Sequence, residues 1–171
     1  MKRPSPAAKA KELLRQCDIT SAPVPVDSIA KYLGVEIRYA RLDDELSGMI
    51  FVKDGRPIIG VNALHHPNRQ RFTIAHELGH YMLHRELITN SVHVDKQFKV
   101  LMRDSNAGTG TQRVEVEANQ FAAALLMPEP LVLKAIADHT FDIDDENPLG
   151  ELAKQFKVSR QTMEYRVRNL G

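Results

Sequence analysis

FTIAHELGHYMLH, running from Phe72 to His84, carries two histidines four residues apart and a glutamate directly after the first. Four residues is little more than one turn of α-helix. His76 and His80 would therefore share a face, with Cβ atoms roughly 6 Å apart, and both imidazoles can reach one metal ion. Glu77 is rotated by about 100° around the axis. That sets its carboxylate beside such an ion rather than on it, where it can take a proton from water. This is the HExxH arrangement of zinc hydrolases. The helical assignment has support of its own: Thr73, Ile74, Leu78, Tyr81 and Met82 give the segment apolar faces. Pro67 or Asn68 opens the helix, and it runs to about His84.

A catalytic zinc site needs a third protein ligand and an open position. His84 continues the series, but it lies about 12 Å of helix rise beyond His76, and three ligands along one straight helix do not converge on one ion. Packing or capping suits it better. Six residues beyond His80, where the metzincin pattern places a histidine, the chain has Glu86. No spacing argument supports His93, His65, His66 or His139. The second long helical stretch, VEVEANQFAAALLMP, offers more. Glu115 and Asn119 are four apart and share a face, so the carboxylate can bind a metal while the amide holds the back nitrogen of a ligand histidine. Glu117 is a rival ligand, pointing about 200° away from Glu115, and spacing alone does not choose between them. Ala118, Ala122 and Ala123 let this helix approach its neighbour closely.

Around this pair of helices the chain reads as α+β and mostly helical. Ser5 and Pro6 open an N-terminal helix; Asp27 is placed to cap a second, SIAKYL, which Gly34 ends. VEIRYA, LSGMIFV and PIIGVN are three strand-like runs. Asp54-Gly55 is a strong hairpin signal between the last two, and the spacing predicts a small antiparallel three-stranded meander. HVDKQFKVLM has irregular strand character, DSNAGTGT is a loop and FDIDDENP an acidic linker. One domain is expected over residues 1–171: N-terminal helices in 1–34, the sheet and the two motif helices in 35–138, and a C-terminal helical pair in 148–171.

Composition narrows the function classes. The 171 residues carry 23 Lys/Arg against 22 Asp/Glu, a net charge of +1, which is not the balance of a polyanion binder. The single cysteine, Cys17, excludes an intramolecular disulfide and a cysteine-rich metal site. The longest apolar run, Phe121 to Met127, is far too short to span a bilayer. The basic N-terminus lacks the apolar core of a signal peptide, which points to the cytoplasm and away from a membrane.

RQRFTIAHELGHYMLH followed by EVEANQFAAALLMP resembles the ImmA/IrrE family of metallopeptidases, and the resemblance extends over roughly Pro25 to Gly171. It implies a gluzincin-type, zincin-like zinc enzyme, with HExxH on one helix and a glutamate ligand on the next. Carried over by position, His76 and His80 match the helix ligands, Glu77 the catalytic base, and Glu115 the glutamate ligand four residues before the asparagine. The resemblance thus selects Glu115 over Glu117. The role of Asn119 comes from geometry alone. LLMP, Leu125 to Pro128, matches a family hallmark that reads as a helix end. The implied cofactor is Zn2+, with Mn2+ or Fe2+ as chemically admissible occupants. The implied activity is a site-specific endopeptidase cut in an Xre-type helix-turn-helix repressor, which derepresses genes in a stress, mobile-element or toxin–antitoxin-like system. The chain matches the short, single-module members.

The tail supplies a rival. LGELAKQFKVSRQTMEYRVRNLG has helix-turn-helix cadence, with Ser159 capping the second helix and five Lys/Arg against two Asp/Glu from Glu151 onward. It can be a DNA-binding or regulator-binding module, the metal site then being structural or gated. The basic surplus is small for neutralising phosphates, which favours a helical pair packed against the peptidase domain. His93, Arg113, Tyr81 and His139 all offer a second donor to an oxyanion.

Overall fold

The computed structural model describes residues 2–89, 93–94, 110–138 and 147–170. In chain order these form α1 (Pro6–Gln16), α2 (Val26–Tyr32), β1 (Glu36–Ala40), β2 (Gly48–Lys53), β3 (Arg56–Asn62), α3 (Pro67–Leu83), α4 (Arg85–Thr89), β4 (His93–Val94), α5 (Gly110–Leu126), α6 (Glu129–Asp138), α7 (Pro148–Phe156) and α8 (Arg160–Arg168). Several caps sit where their residue types demand. The Ser5 hydroxyl accepts from the Ala8 amide, with Pro6 at the first helical position. The Asn147 side chain accepts from Gly150 and the Ser159 side chain from Thr162. Asp27 does not cap α2: the helix starts one residue earlier, at Val26, and Asp27 lies in its first turn. There its charge still favours the helix N-terminus.

The sheet departs from the expected meander. Strand order is β1-β3-β2-β4: β2 and β3 form the antiparallel hairpin around Asp54-Gly55, but β1 pairs parallel with β3, from Glu36 opposite Ile58 to Ala40 opposite Asn62. The sheet is therefore mixed. Strand polarity explains it. β3 contributes buried Ile58, Ile59 and Val61 and takes a central place, whereas β1 is mostly exposed and stays at an edge. The connection from β1 to β2 crosses the end of β3, where the buried Asn62 side chain holds it. Its amide donates to the carbonyls of Leu42, Asp43 and Leu46 at 3.3, 3.2 and 2.8 Å, and its oxygen accepts from the Leu64 amide at 3.0 Å. The two-residue β4 adds to β2 at the opposite edge. The remainder of the irregular strand, the loop up to residue 109 and linker residues 141–146 lie outside the described residues.

α3 is the central element. It packs against α5 and against β2 and β3, and α1 covers α5. Every residue from Thr73 to His80 is buried, so no face of this segment is solvated. Two glycines permit the close approach. A Cβ on Gly48 of β2 would lie 2.6 Å from the Thr73 methyl of α3, and one on Gly79 would lie 3.0 Å from the Ala118 carbonyl oxygen and 3.2 Å from the Phe121 ring of α5.

Candidate metal centre

His76, Glu77 and His80 lie on α3, and Glu115 and Asn119 on α5, which runs alongside it. All but Asn119, which is half-buried, are withdrawn from solvent. His66, just before Pro67, begins the local order: its Nδ1 accepts from the Asn68 amide, so α3 starts at a defined residue. Ala118 is fully buried where Gly79 of α3 meets α5; Ala122 is fully buried as well, and Ala123 partly so.

Three atoms converge in that seam. His76 Nε2 and His80 Nε2 are 3.1 Å apart, and Glu115 Oε2 lies 3.0 Å from the first and 3.3 Å from the second. Donors held about 2.0–2.1 Å from a tetrahedral ion stand about 3.3 Å from one another, so the triangle has the right size for zinc. Its chemistry also fits. His76 Nδ1 lies 3.0 Å from Asn119 Oδ1. An amide oxygen only accepts, so the ring proton sits on Nδ1 and the Nε2 lone pair faces the triangle. A carboxylate oxygen and lone pairs from imidazole nitrogens, crowded together away from water, call for a cation between them. These three residues form the cluster with metal-ligand spacing among the described residues.

His84 and Glu117 occupy a different place from the ligands. His84 is the C-cap residue of α3, and its Nδ1 lies 3.3 Å from His80 Nδ1. Its Nε2 lies 2.9 Å from Glu117 Oε2, and Arg113 donates through Nε to Glu117 Oε1 at 2.9 Å. Burial pushes the His84 imidazole below its ordinary value, against the opposing pull of Glu117. The hydrogen bonds from His84 and Arg113 hold the Glu117 carboxyl below the usual carboxylate range. Sequence spacing had no means of finding this His84–Glu117 pairing, because it depends on how α3 and α5 are rotated against each other. The i, i+4 repeat His80–His84 was the available signal.

The remaining histidines and candidate oxyanion donors that the structure describes have contacts of their own. His65 Nε2 sits near the Asn62 amide and the Asp44 carbonyl oxygen, at 3.2 and 3.3 Å. The Arg85 guanidinium lies 4.3 Å from the centre of the Tyr81 ring. Arg113 is engaged with Glu117. The side chain of His93, and His139 altogether, lie outside the described residues. In the C-terminal pair, Leu152, Ala153, Phe156, Val158 and Met163 are buried in the common core. Arg71 of α3 donates to the carbonyls of Val24, Lys157 and Phe156 at 2.8, 3.3 and 3.5 Å, and Arg166 donates to that of Met127 at 3.0 Å.

Comparison with known proteins bears on the fold and the family. A solved Mycobacterium tuberculosis transcriptional regulator superposes with a TM-score of 0.63 at 20% identity, over 97% of this chain and 48% of that one, which establishes a shared fold. The radiation response metalloprotease IrrE of Deinococcus radiodurans is 33% identical over 110 residues, which make up 63% of this chain and 30% of that protein. The chain thus spans about a third of the length of that curated relative. Residues 30–168 match peptidase M78, the IrrE N-terminal-like domain. With its buried His-His-Glu cluster and a match across most of its length, the chain belongs to the IrrE N-terminal-like metalloprotease family.

Proposed function

We propose that the protein is a zinc-dependent endopeptidase that makes a site-specific cut in an Xre-type helix-turn-helix repressor. The observation that carries the hydrolase part is the triangle of His76, His80 and Glu115 with Glu77 one residue from a ligand position and fully buried. Zinc bound there would supply Lewis acidity, acidifying a water and polarising a peptide carbonyl. Glu77 takes the proton from the attacking water on its carboxylate and returns it to the leaving amine. Asn119 holds His76 with its metal-facing nitrogen unprotonated. A purely structural metal clip has no use for a buried carboxylate at position 77. The repressor substrate rests on the ImmA/IrrE resemblance, and a relative described as a radiation response metalloprotease is in keeping with a regulatory protease. The buried inner faces of α7 and α8 favour a packed helical pair over a separate DNA-reading module.

The test is a trap. Glu77→Gln should retain zinc, lose roughly 10²–10⁴-fold in turnover, and hold its substrate. Lysate from the source cell is passed over the loaded variant, and the retained proteins are offered to zinc-loaded wild type. A helix-turn-helix regulator that is retained and then cut at one bond supports the proposal. Cleavage by Glu77→Gln at the wild-type rate, with equal zinc content, would remove Glu77 as the base. Retention of DNA fragments with no protein cut would move the function to the tail.

A further inference from the structure

We infer that His84 and Glu117 act together as the positioning pair for His80, setting its tautomer and ring orientation for metal binding. The inference rests on the metal-site reading above and goes beyond the ligand set.

With both imidazoles neutral, the hydrogen-bond chain has one consistent proton order. Glu117 is an ionised carboxylate and only accepts, so the hydrogen it shares with His84 at 2.9 Å belongs to His84 Nε2. With the ring proton there, His84 Nδ1 carries a lone pair. His80 Nδ1, 3.3 Å away, must then donate, and His80 Nε2 is left with its lone pair toward His76 and Glu115. Arg113 occupies the other oxygen of Glu117 at 2.9 Å, which orients the carboxylate toward His84. The chain thus runs from a buried ligand to an exposed guanidinium: side-chain exposure rises from 1% at His80 to 5% at His84, 20% at Glu117 and 82% at Arg113.

The two ligand histidines are therefore supported differently. His76 Nδ1 faces a neutral amide oxygen, whereas His80 Nδ1 faces an imidazole that is itself held by a carboxylate. Both supports select the same tautomer. α5 consequently carries three contributions within two turns: a ligand in Glu115, a brace for one histidine in Asn119 and a brace for the other in Glu117. It also explains why a carboxylate that is not a ligand lies so near the site.

The readout is metal affinity, separate from turnover. Zinc dissociation constants are measured by competition with a chromophoric chelator, and the absorption of the cobalt-substituted protein reports ligand geometry. His84→Leu removes the acceptor for His80 and should weaken zinc binding by roughly 10–100-fold while shifting the cobalt spectrum. His84→Asn, whose amide oxygen can stand near the Nδ1 position, should recover most of the affinity. Glu117→Gln keeps the size of the side chain but lets its amide nitrogen face His84, and should weaken binding in the same direction. Melting of the metal-free variants checks that they fold, and Glu117→Gln, altered at the solvent-facing end of the chain, keeps the test alive should His84→Leu fail to fold. Wild-type zinc affinity and an unchanged cobalt spectrum in Glu117→Gln would overturn the inference, as would equal weakening by His84→Leu and His84→Asn. Failure of the wild type to bind one zinc per chain would instead overturn the metal site beneath it.

Discussion

Glu115 contributes one oxygen to the triangle and has no substitute on its own helix, because Glu117 is turned away to His84. Glu115→Ala should therefore abolish stoichiometric zinc binding, a loss exceeding the roughly 100-fold seen when a residue behind a ligand is changed. Zinc content after gel filtration measures it, and full occupancy in that variant would mean that another group completes the site. At this scale the sequence was informative wherever one helix suffices. His76, Glu77 and His80 are related by helical geometry alone, and so are Glu115 and Asn119. The choice between Glu115 and Glu117 depends on the rotation of α5 about its axis relative to α3, which no local spacing encodes; the family resemblance supplied it. His84 was legible as a cap or packing residue, and its link to Glu117 was not.

At the scale of elements, the site is a property of one seam. His76 and His80 come from α3 and Glu115 from α5, so the donor triangle opens or closes with the distance between the two helices. Gly79 controls that distance, since a Cβ there would press on Ala118 backbone and the Phe121 ring at 3.0–3.2 Å. Gly79→Ala gains about 1 kcal/mol of helix propensity and costs roughly 1–3 kcal/mol of overpacking, so metal-free stability should fall by no more than about 2 kcal/mol. Zinc affinity should fall more steeply, because the helices separate where the donors must meet. Chelator competition alongside denaturant unfolding of the metal-free protein compares the two; equal zinc affinity in wild type and variant would show that the seam tolerates the methyl group. The small residues of α5 were visible in the sequence, but their partner on α3 was hidden inside the HExxH motif itself. Strand order was hidden for a related reason. The Asp54-Gly55 turn is a local signal, whereas the parallel pairing of β1 with β3 follows from which strand has the more apolar faces and from a crossing held by Asn62.

For the whole molecule, the core is shared. Phe156 and Met163 of the C-terminal pair, Ile74 and Leu78 of α3, and Phe121 of α5 belong to one buried cluster. Unfolding should be a single transition, and a ligand that binds only the folded state should move all of it. Zinc at about 1,000 times its dissociation constant adds about 4 kcal/mol, a rise of roughly 8–16 °C for a chain of this size. Scanning calorimetry with and without chelator measures it, and a second, zinc-insensitive transition would show that α7 and α8 fold apart. A shared core also bears on how such a protein can diversify. Eight consecutive residues of α3, Thr73 to His80, are buried, so a change at any of them must be absorbed by what packs around it. A substitution there is felt first as a change in packing. A mutant library meant to alter what the protein recognises therefore has most of its freedom on the exposed surface, outside this segment.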